Sequence, residues 1–173
     1  AIGLSGHLNN IIEAERLLIS LKDSDSNIEK ILDIGFVGRP IKINCDIIEE
    51  NISKGFIPVI APLGYDKDKK IYNINADTAA GAIAEAIQAS KLLLLTDVAG
   101  ILDENRKLIS SLSVSEAKKI INQKYISGGM KPKIETCINS IDHGVKEATI
   151  LDGRIPHSII LELFTEHGIG TQI

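Results

Sequence analysis

Two uninterrupted apolar runs constrain this chain most: Phe56-Ile57-Pro58-Val59-Ile60-Ala61-Pro62 and Lys91-Leu92-Leu93-Leu94-Leu95-Thr96. Both are of strand length, and a strand with no polar alternation is expected where a parallel sheet is covered on both faces. Pro58 limits pairing at its own position. Between them Tyr72 and Ile74 alternate with Asn73 and Asn75 as at a strand end, and residues 76–89 are nearly all helix formers with Ala, Ile and Glu recurring. Strand, helix and the strand 91–96 then read as a βαβ unit. The alternation continues along the chain, so the expected class is α/β, with a mostly parallel sheet sandwiched by helices.

The remaining segments fit that class. Residues 8–21 have partly helical apolar spacing, although 17–21 also suit a strand, and residues 23–27 form a polar loop. Residues 31–44 place glycines between β-favouring residues, which predicts two short strands meeting in a hairpin. A helix over 46–53 closed by Gly55 follows, then a hydrophilic turn over 65–70. Ser113-Val114-Ser115-Glu116 reads as a capping box opening a short helix. Residues 130–142 form a helix ended by His143-Gly144, residues 145–151 a strand, 156–164 a helix, and the residues after Gly168 an extended segment.

Composition narrows the function classes. At 173 residues, 44% apolar and 24% charged, the chain reads as one soluble globular domain spanning 1–173. A net charge of -4 and 3% aromatic residues argue against nucleic acid as a partner. Cys45 and Cys137 are isolated and fit no metal spacing, so reduced thiols in the cytoplasm, or an organelle such as the plastid stroma, are expected. No apolar run is long enough to span a bilayer.

The chemistry should gather at strand ends. Asn73-Ile74-Asn75-Ala76-Asp77 crowds two carboxamides and a carboxylate at a strand-to-helix junction; Asp77 suits a first-turn acid or capping-box variant as well as a functional carboxylate, but that reading leaves Asn73 unexplained. Asp97-Val98-Ala99-Gly100 follows the leucine strand, where open α/β sheets bind ligands, and its carboxylate also suits loop amides. Ser127-Gly128-Gly129 before a helix would leave N–H groups free for an anion, with Lys133 one turn on; a plain helix start with a solvated lysine competes. There is no Gly-x-x-x-x-Gly-Lys-Ser/Thr loop, no Gly-x-Gly-x-x-Gly after a strand and no Gly-x-Ser-x-Gly elbow, and the four histidines show no zinc spacing.

Four motifs together, Asn73-Ile74-Asn75-Ala76-Asp77, residues 95–102, residues 127–133 and Asp152-Gly153-Arg154-Ile155-Pro156-His157, closely resemble the N-acetylglutamate kinase family. The resemblance implies the amino-acid kinase (carbamate kinase-like) fold, and transfer of phosphate from ATP, with Mg2+, to the side-chain carboxylate of N-acetyl-L-glutamate in arginine biosynthesis. It implies that Asn73 binds the acceptor, that Asp77 organises catalytic lysines and that Lys133 stabilises the transferring phosphoryl group. Asp97, Val98, Gly100, Ile101 and Leu102, with Tyr125, Ile126 and Ser127, would line adenine and ribose, and Gly128 and Gly129 would lie near the phosphates. Residues 157–171 resemble the segment that marks arginine-inhibited members, so His157, Glu162, Glu166 and Gly168 are the candidate allosteric residues, and a homodimer or hexamer is implied. On residue types alone, Glu162 and Glu166 equally suit a solvated acidic face.

The departures are equally informative. A first-strand lysine, a glycine-rich loop and a substrate-binding arginine of the family would all precede Ala1, and His7-Leu8 stands where Lys-Asp is expected. The chain thus resembles the carboxy-terminal ATP-binding lobe with part of the acceptor-binding lobe, and in isolation is expected to be inactive. A noncatalytic nucleotide- or arginine-binding fragment, or an amino-acid kinase with another acceptor, stays open.

Overall fold

The computed structural model describes residues 1–22, 29–166 and 168–173. The chain forms two compact units, 1–86 and 87–173. The expected polar loop at 23–27 lies outside the described residues.

The first unit contains β1 (Ile2–Ser5), β2 (Ile12–Lys22), β3 (Glu29–Ile43), α1 (Asp46–Ser53), β4 (Pro58–Ala61), β5 (Leu63–Tyr65), β6 (Ile71–Ile74) and α2 (Ala76–Ala86). β1 and β4 pair in parallel, while β2, β3, β6 and β5 close into a small barrel in that order. Pro58 sits at the first position of β4, where its missing N–H breaks little of the ladder. Tyr72 and Ile74 are buried and Ile71 and Asn73 are not, the alternation anticipated from the sequence. The turn before β6 is held by Asp66, whose carboxylate accepts from the amides of Asp68 and Lys70 at 2.9 Å and from the Tyr72 hydroxyl at 2.9 Å.

Two local expectations fail in this unit. Residues 31–44 do not form a hairpin of their own: β3 runs through them as one long strand antiparallel to β2, which itself takes up the segment with helical spacing. Gly35 (φ +83°) marks an irregularity in the ladder rather than a turn, and the Asp33 carboxylate caps its amide at 2.9 Å. Glycine punctuation signals a positive φ but does not distinguish a bulge from a reversal. The βαβ unit also differs, because β6 belongs to the barrel whereas β7 (Lys91–Thr96) belongs to a separate three-stranded sheet. Element order alone does not say which strands pair.

The second unit continues with α3 (Val114–Ile120), α4 (Met130–Asp142), β8 (Glu147–Asp152), α5 (Ser158–Phe164) and β9 (Thr171–Gln172). β7 and β8 pair in parallel, from Lys91 opposite Glu147 to Thr96 opposite Asp152, and β9 joins β8 antiparallel. The parallel connection expected of the chain is therefore β7–β8, crossed by α3 and α4. β8, between two neighbours, is buried from Ala148 to Asp152. Met130, Ile134, Cys137 and Ile138 recur at helical spacing and form the buried face of α4; burying each side chain contributes about 1.5–3 kcal/mol. The Ser113–Glu116 capping box forms as read, and Gly144 (φ +107°) closes α4 with its amide on the Ile141 carbonyl at 3.1 Å.

Two polar fastenings fix the strand ends. The Thr171 hydroxyl, fully buried, accepts from the Ile101 amide at 2.8 Å and donates to the Ile109 carbonyl at 2.6 Å. At the carboxyl end of β8, Asp152 receives the Arg154 guanidinium at 2.7 and 3.0 Å and the Arg154 amide at 2.9 Å. The guanidinium hydrogen bonds, then the amide, hold its carboxyl down to about 2.

Thr171→Val should leave an amide and a carbonyl buried without partners and lower unfolding free energy by about 1–3 kcal/mol, with Thr171→Ser far milder. Equal denaturation midpoints for wild type and Thr171→Val would contradict this. Because the folded value of Asp152 is depressed, its contribution to stability is complete above the ordinary carboxylate range near about 4 and is lost as pH falls toward 2. Arg154→Gln should move the Asp152 midpoint upward in a carboxyl-carbon NMR titration, and an unmoved midpoint would contradict the assignment.

Candidate functional site

Beyond the carboxyl end of β7 the chain turns through Asp97 and Val98 into Gly100, whose φ of +149° disfavours any side chain. A Cβ there would also meet the Thr171 hydroxyl at 2.6 Å. The chain then forms a narrow antiparallel loop in which Leu102 faces Leu108 and the Asp103 carboxylate accepts from the Asn105 and Lys107 amides at 2.8 Å. Ile101 is wholly buried and anchors this loop.

That loop faces the segment entering α4 across a cavity of about 150 Å³, lined by Val98, Gly100, Leu102, Tyr125, Ile126, Ser127 and Met130. The structure thus brings together both stretches that the motifs marked as nucleotide-lining. Met130 also lines this cavity, whereas Asp97 and Ile101, marked with the same stretch, are not in its lining. The signal for Met130 was present: it begins the buried series Met130, Ile134, Ile138 of α4.

The entry to α4 is an open helix start. No side chain caps it, the Met130 and Lys131 amides both turn to the Ser127 carbonyl at 3.0 and 3.3 Å, and the Gly128 and Gly129 amides have no acceptor among the described residues. A Cβ at Gly128 or Gly129 would meet nothing within 4 Å. Pro132 lies in the first turn, where a missing N–H costs little. Positive dipole, open amides and free space suit an anion beside an apolar cavity. Lys133, half-buried, lies one turn into the same helix.

Asn73 and Asp77 are carried by the first unit. Asn73 is exposed in β6, with Val37 and Leu63 opposite on its two neighbours. The α2 cap is Asn75, whose Oδ1 accepts from the Thr78 amide at 3.1 Å. Asp77 is therefore not the capping residue; it sits half-buried in the first turn, where its charge favours the helix dipole. Asp97 is exposed, within 3.3 Å of the Thr96 hydroxyl.

At the carboxy-terminal segment His157 is exposed with φ +61° before α5, and Gly168 has φ +58°. Glu162 is already engaged: its Oε2 accepts from the Ile169 and Gly170 amides at 2.7 and 3.1 Å. Glu166 is exposed and lies beyond the extended Thr165 that ends α5, so the two acids do not form one helical face. Among the described residues no group of three or more His, Cys, Asp or Glu is arranged to hold a metal, and no helix is long and apolar enough to cross a membrane.

The sequence model described as the amino acid kinase family matches residues 1–152. An acetylglutamate kinase of Rhodospirillum centenum is 54% identical over all 173 residues, and the chain spans 57% of that relative's length. Among solved structures, the N-acetylglutamate synthase of Neisseria gonorrhoeae, complexed with coenzyme A and L-arginine, superposes with a TM-score of 0.82 at 28% identity, covering 100% of this chain and 38% of its own. The carbamate kinase of Giardia, at 18% identity and a TM-score of 0.66, covers 94% of this chain and 59% of its own, and shares the fold. With α/β units of mixed sheets and helices and a family match over most of its length, the chain belongs to the amino acid kinase family.

Proposed function

We propose that the protein to which this chain belongs transfers the γ-phosphoryl group of ATP to the side-chain carboxylate of N-acetyl-L-glutamate, a step of arginine biosynthesis. The observation that carries this reading is the cavity joining residues 98–102 to residues 125–127 beside the uncapped start of α4. Its apolar lining suits a purine and its open amides suit phosphates. In this reading the second unit is the ATP-binding lobe and the first contributes part of the acceptor site. The 54% identity to a relative named acetylglutamate kinase supports the choice of acceptor.

Phosphoryl transfer asks for positioning and positive charge rather than covalent help. Asn73 offers a carboxamide to the acceptor, which needs both donor and acceptor capacity for its amide and carboxylate. Asp77 holds ammonium groups in place through charge and hydrogen bonding. Lys133, on a rigid helix one turn past the anion site, neutralises charge on the phosphoryl oxygens as they separate from the leaving group. Mg2+ in such sites is held largely by phosphate oxygens and water, so few protein ligands are required. Cys45 and Cys137 are not joined in a disulfide, which suits a reducing compartment such as the cytoplasm.

Arginine as a feedback inhibitor is a second element of the proposal, supported by the arginine complex of the similar Neisseria gonorrhoeae protein. His157, Glu166, Gly168 and the second oxygen of Glu162 are its candidate contacts, and a dimeric or hexameric assembly would complete the site.

Gly128→Val should leave the melting temperature unchanged, since the added side chain meets nothing, yet weaken ATP binding about tenfold or more while adenosine binding changes little. Unchanged ATP affinity by calorimetry would overturn the phosphate position. In the full-length enzyme Lys133→Ala should lower kcat about a hundredfold with a smaller change in the KM for ATP, and Asp77→Asn should nearly abolish turnover without unfolding. Substantial activity in either variant would refute its role. Arginine should inhibit the full-length enzyme, less so with Glu166→Gln; insensitivity of the parent enzyme would remove the inhibitory element and leave the kinase reading intact.

A further inference from the structure

The first unit holds a larger cavity, about 470 Å³, that lies outside the proposed transfer chemistry. It opens between the barrel and the start of α1, with Asn10, Glu13, Lys42, Asn44, Asp46 and Tyr65 around its wall. The fully buried Ile11 and the partly buried Ile43 supply apolar surface. A space of this size, with apolar surface and a few polar residues in its lining, is in the range of small-molecule sites.

Its charges are arranged unusually. Glu13 and Lys42 are direct cross-strand partners on β2 and β3, a relation that ordinarily brings opposite charges together. Along the same ladder Glu15 and Arg39 do pair, at 2.7 Å. Glu13 and Lys42 enter no ion pair among the described residues, nor does Asp46. An ammonium and two carboxylates thus stand around one concave space without neutralising each other. Asn44 spends its Oδ1 on the Asp46 amide at 3.1 Å and keeps its NH2 donors. Tyr65 lines the cavity, with the Lys69 ammonium 4.3 Å from its ring centroid. The Cys45 thiol is pushed up by burial, then by Glu49 and Asp46, and so stays neutral at pH 7. The site is therefore one for binding, with no activated nucleophile.

We propose that this cavity binds a free α-amino acid as its zwitterion, the carboxylate on Lys42 and the ammonium between Glu13 and Asp46. A phosphate or dicarboxylate would face two carboxylates against one ammonium, and a bare cation would face Lys42. Only a ligand carrying both signs a few ångströms apart answers all three charges, and the net negative lining favours a neutral or basic side chain over an acidic one.

Glycine, alanine, lysine and glutamate titrated into the 173-residue chain and followed by amide NMR should give saturable shifts centred on residues 13, 42, 44 and 46, weakest for glutamate. N-acetylglycine, which lacks the ammonium, and glycinamide, which lacks the carboxylate, should each bind about tenfold or more weakly than glycine. Lys42→Gln and Glu13→Gln, both at solvent-accessible strand positions, should keep the native melting temperature and lose binding to the same degree. Absence of saturable shifts, shifts centred elsewhere, or equal binding of glycine and its two blocked derivatives would overturn the proposal.

Discussion

The hydroxyl of Thr171 ties the candidate nucleotide site to the end of the chain. It is buried, and both of its hydrogen-bonding capacities are used, one on the Ile101 amide and one on the Ile109 carbonyl. This fastening spans 70 residues of sequence to Ile101. It also explains why position 100 is glycine: the approach of Thr171 leaves no room for a Cβ, and the backbone there lies at positive φ. A loop that would otherwise carry the mobility of any strand-to-helix connection is thereby made one rigid wall of a cavity. The second wall is fixed differently, by Ile126 buried in the core and by the Ser127 carbonyl receiving two amides at the start of α4.

Rigid walls matter because the chemistry proposed for the family has little to do except position and neutralise. An uncapped helix start offers amides at a fixed location with no reorganisation needed, which a flexible lysine-rich loop would not. The absence of a side-chain cap on α4 carries a small stability penalty of the kind that sites commonly tolerate. By contrast α3, which has no such duty, carries a complete Ser113–Glu116 capping box. The two helices of the same unit thus resolve the same problem of orphan amides in opposite ways, one closed and one open.

Glu162 illustrates how the folded arrangement redefines a residue. On sequence it reads as half of an acidic face with Glu166, yet its carboxylate closes the loop after α5 by taking the Ile169 and Gly170 amides. That loop leads directly into Thr171, so Glu162 indirectly supports the wall of the cavity. Any ligand approaching it meets a carboxylate with one oxygen already occupied.

Much was legible in the sequence because it depends on local pattern. The leucine strand, the alternation at Tyr72 and Ile74, the capping box and the glycine closing α4 follow from periodicity or turn residues, whereas the two stretches flanking the cavity were marked by the family resemblance. What the sequence left open is pairing. The glycines of residues 31–44 announced a special backbone without saying whether it was a turn or a ladder irregularity, and the order strand, helix, strand did not reveal that β6 and β7 lie in different sheets. Nor did residue types separate Asn75, which caps α2, from Asp77, which does not, or foretell that Glu13 and Lys42 would face each other across an open cavity. Strand partners and side-chain neighbours are set by long-range packing, where contacts many residues apart compete on nearly equal local terms, so only the tertiary structure decides among them.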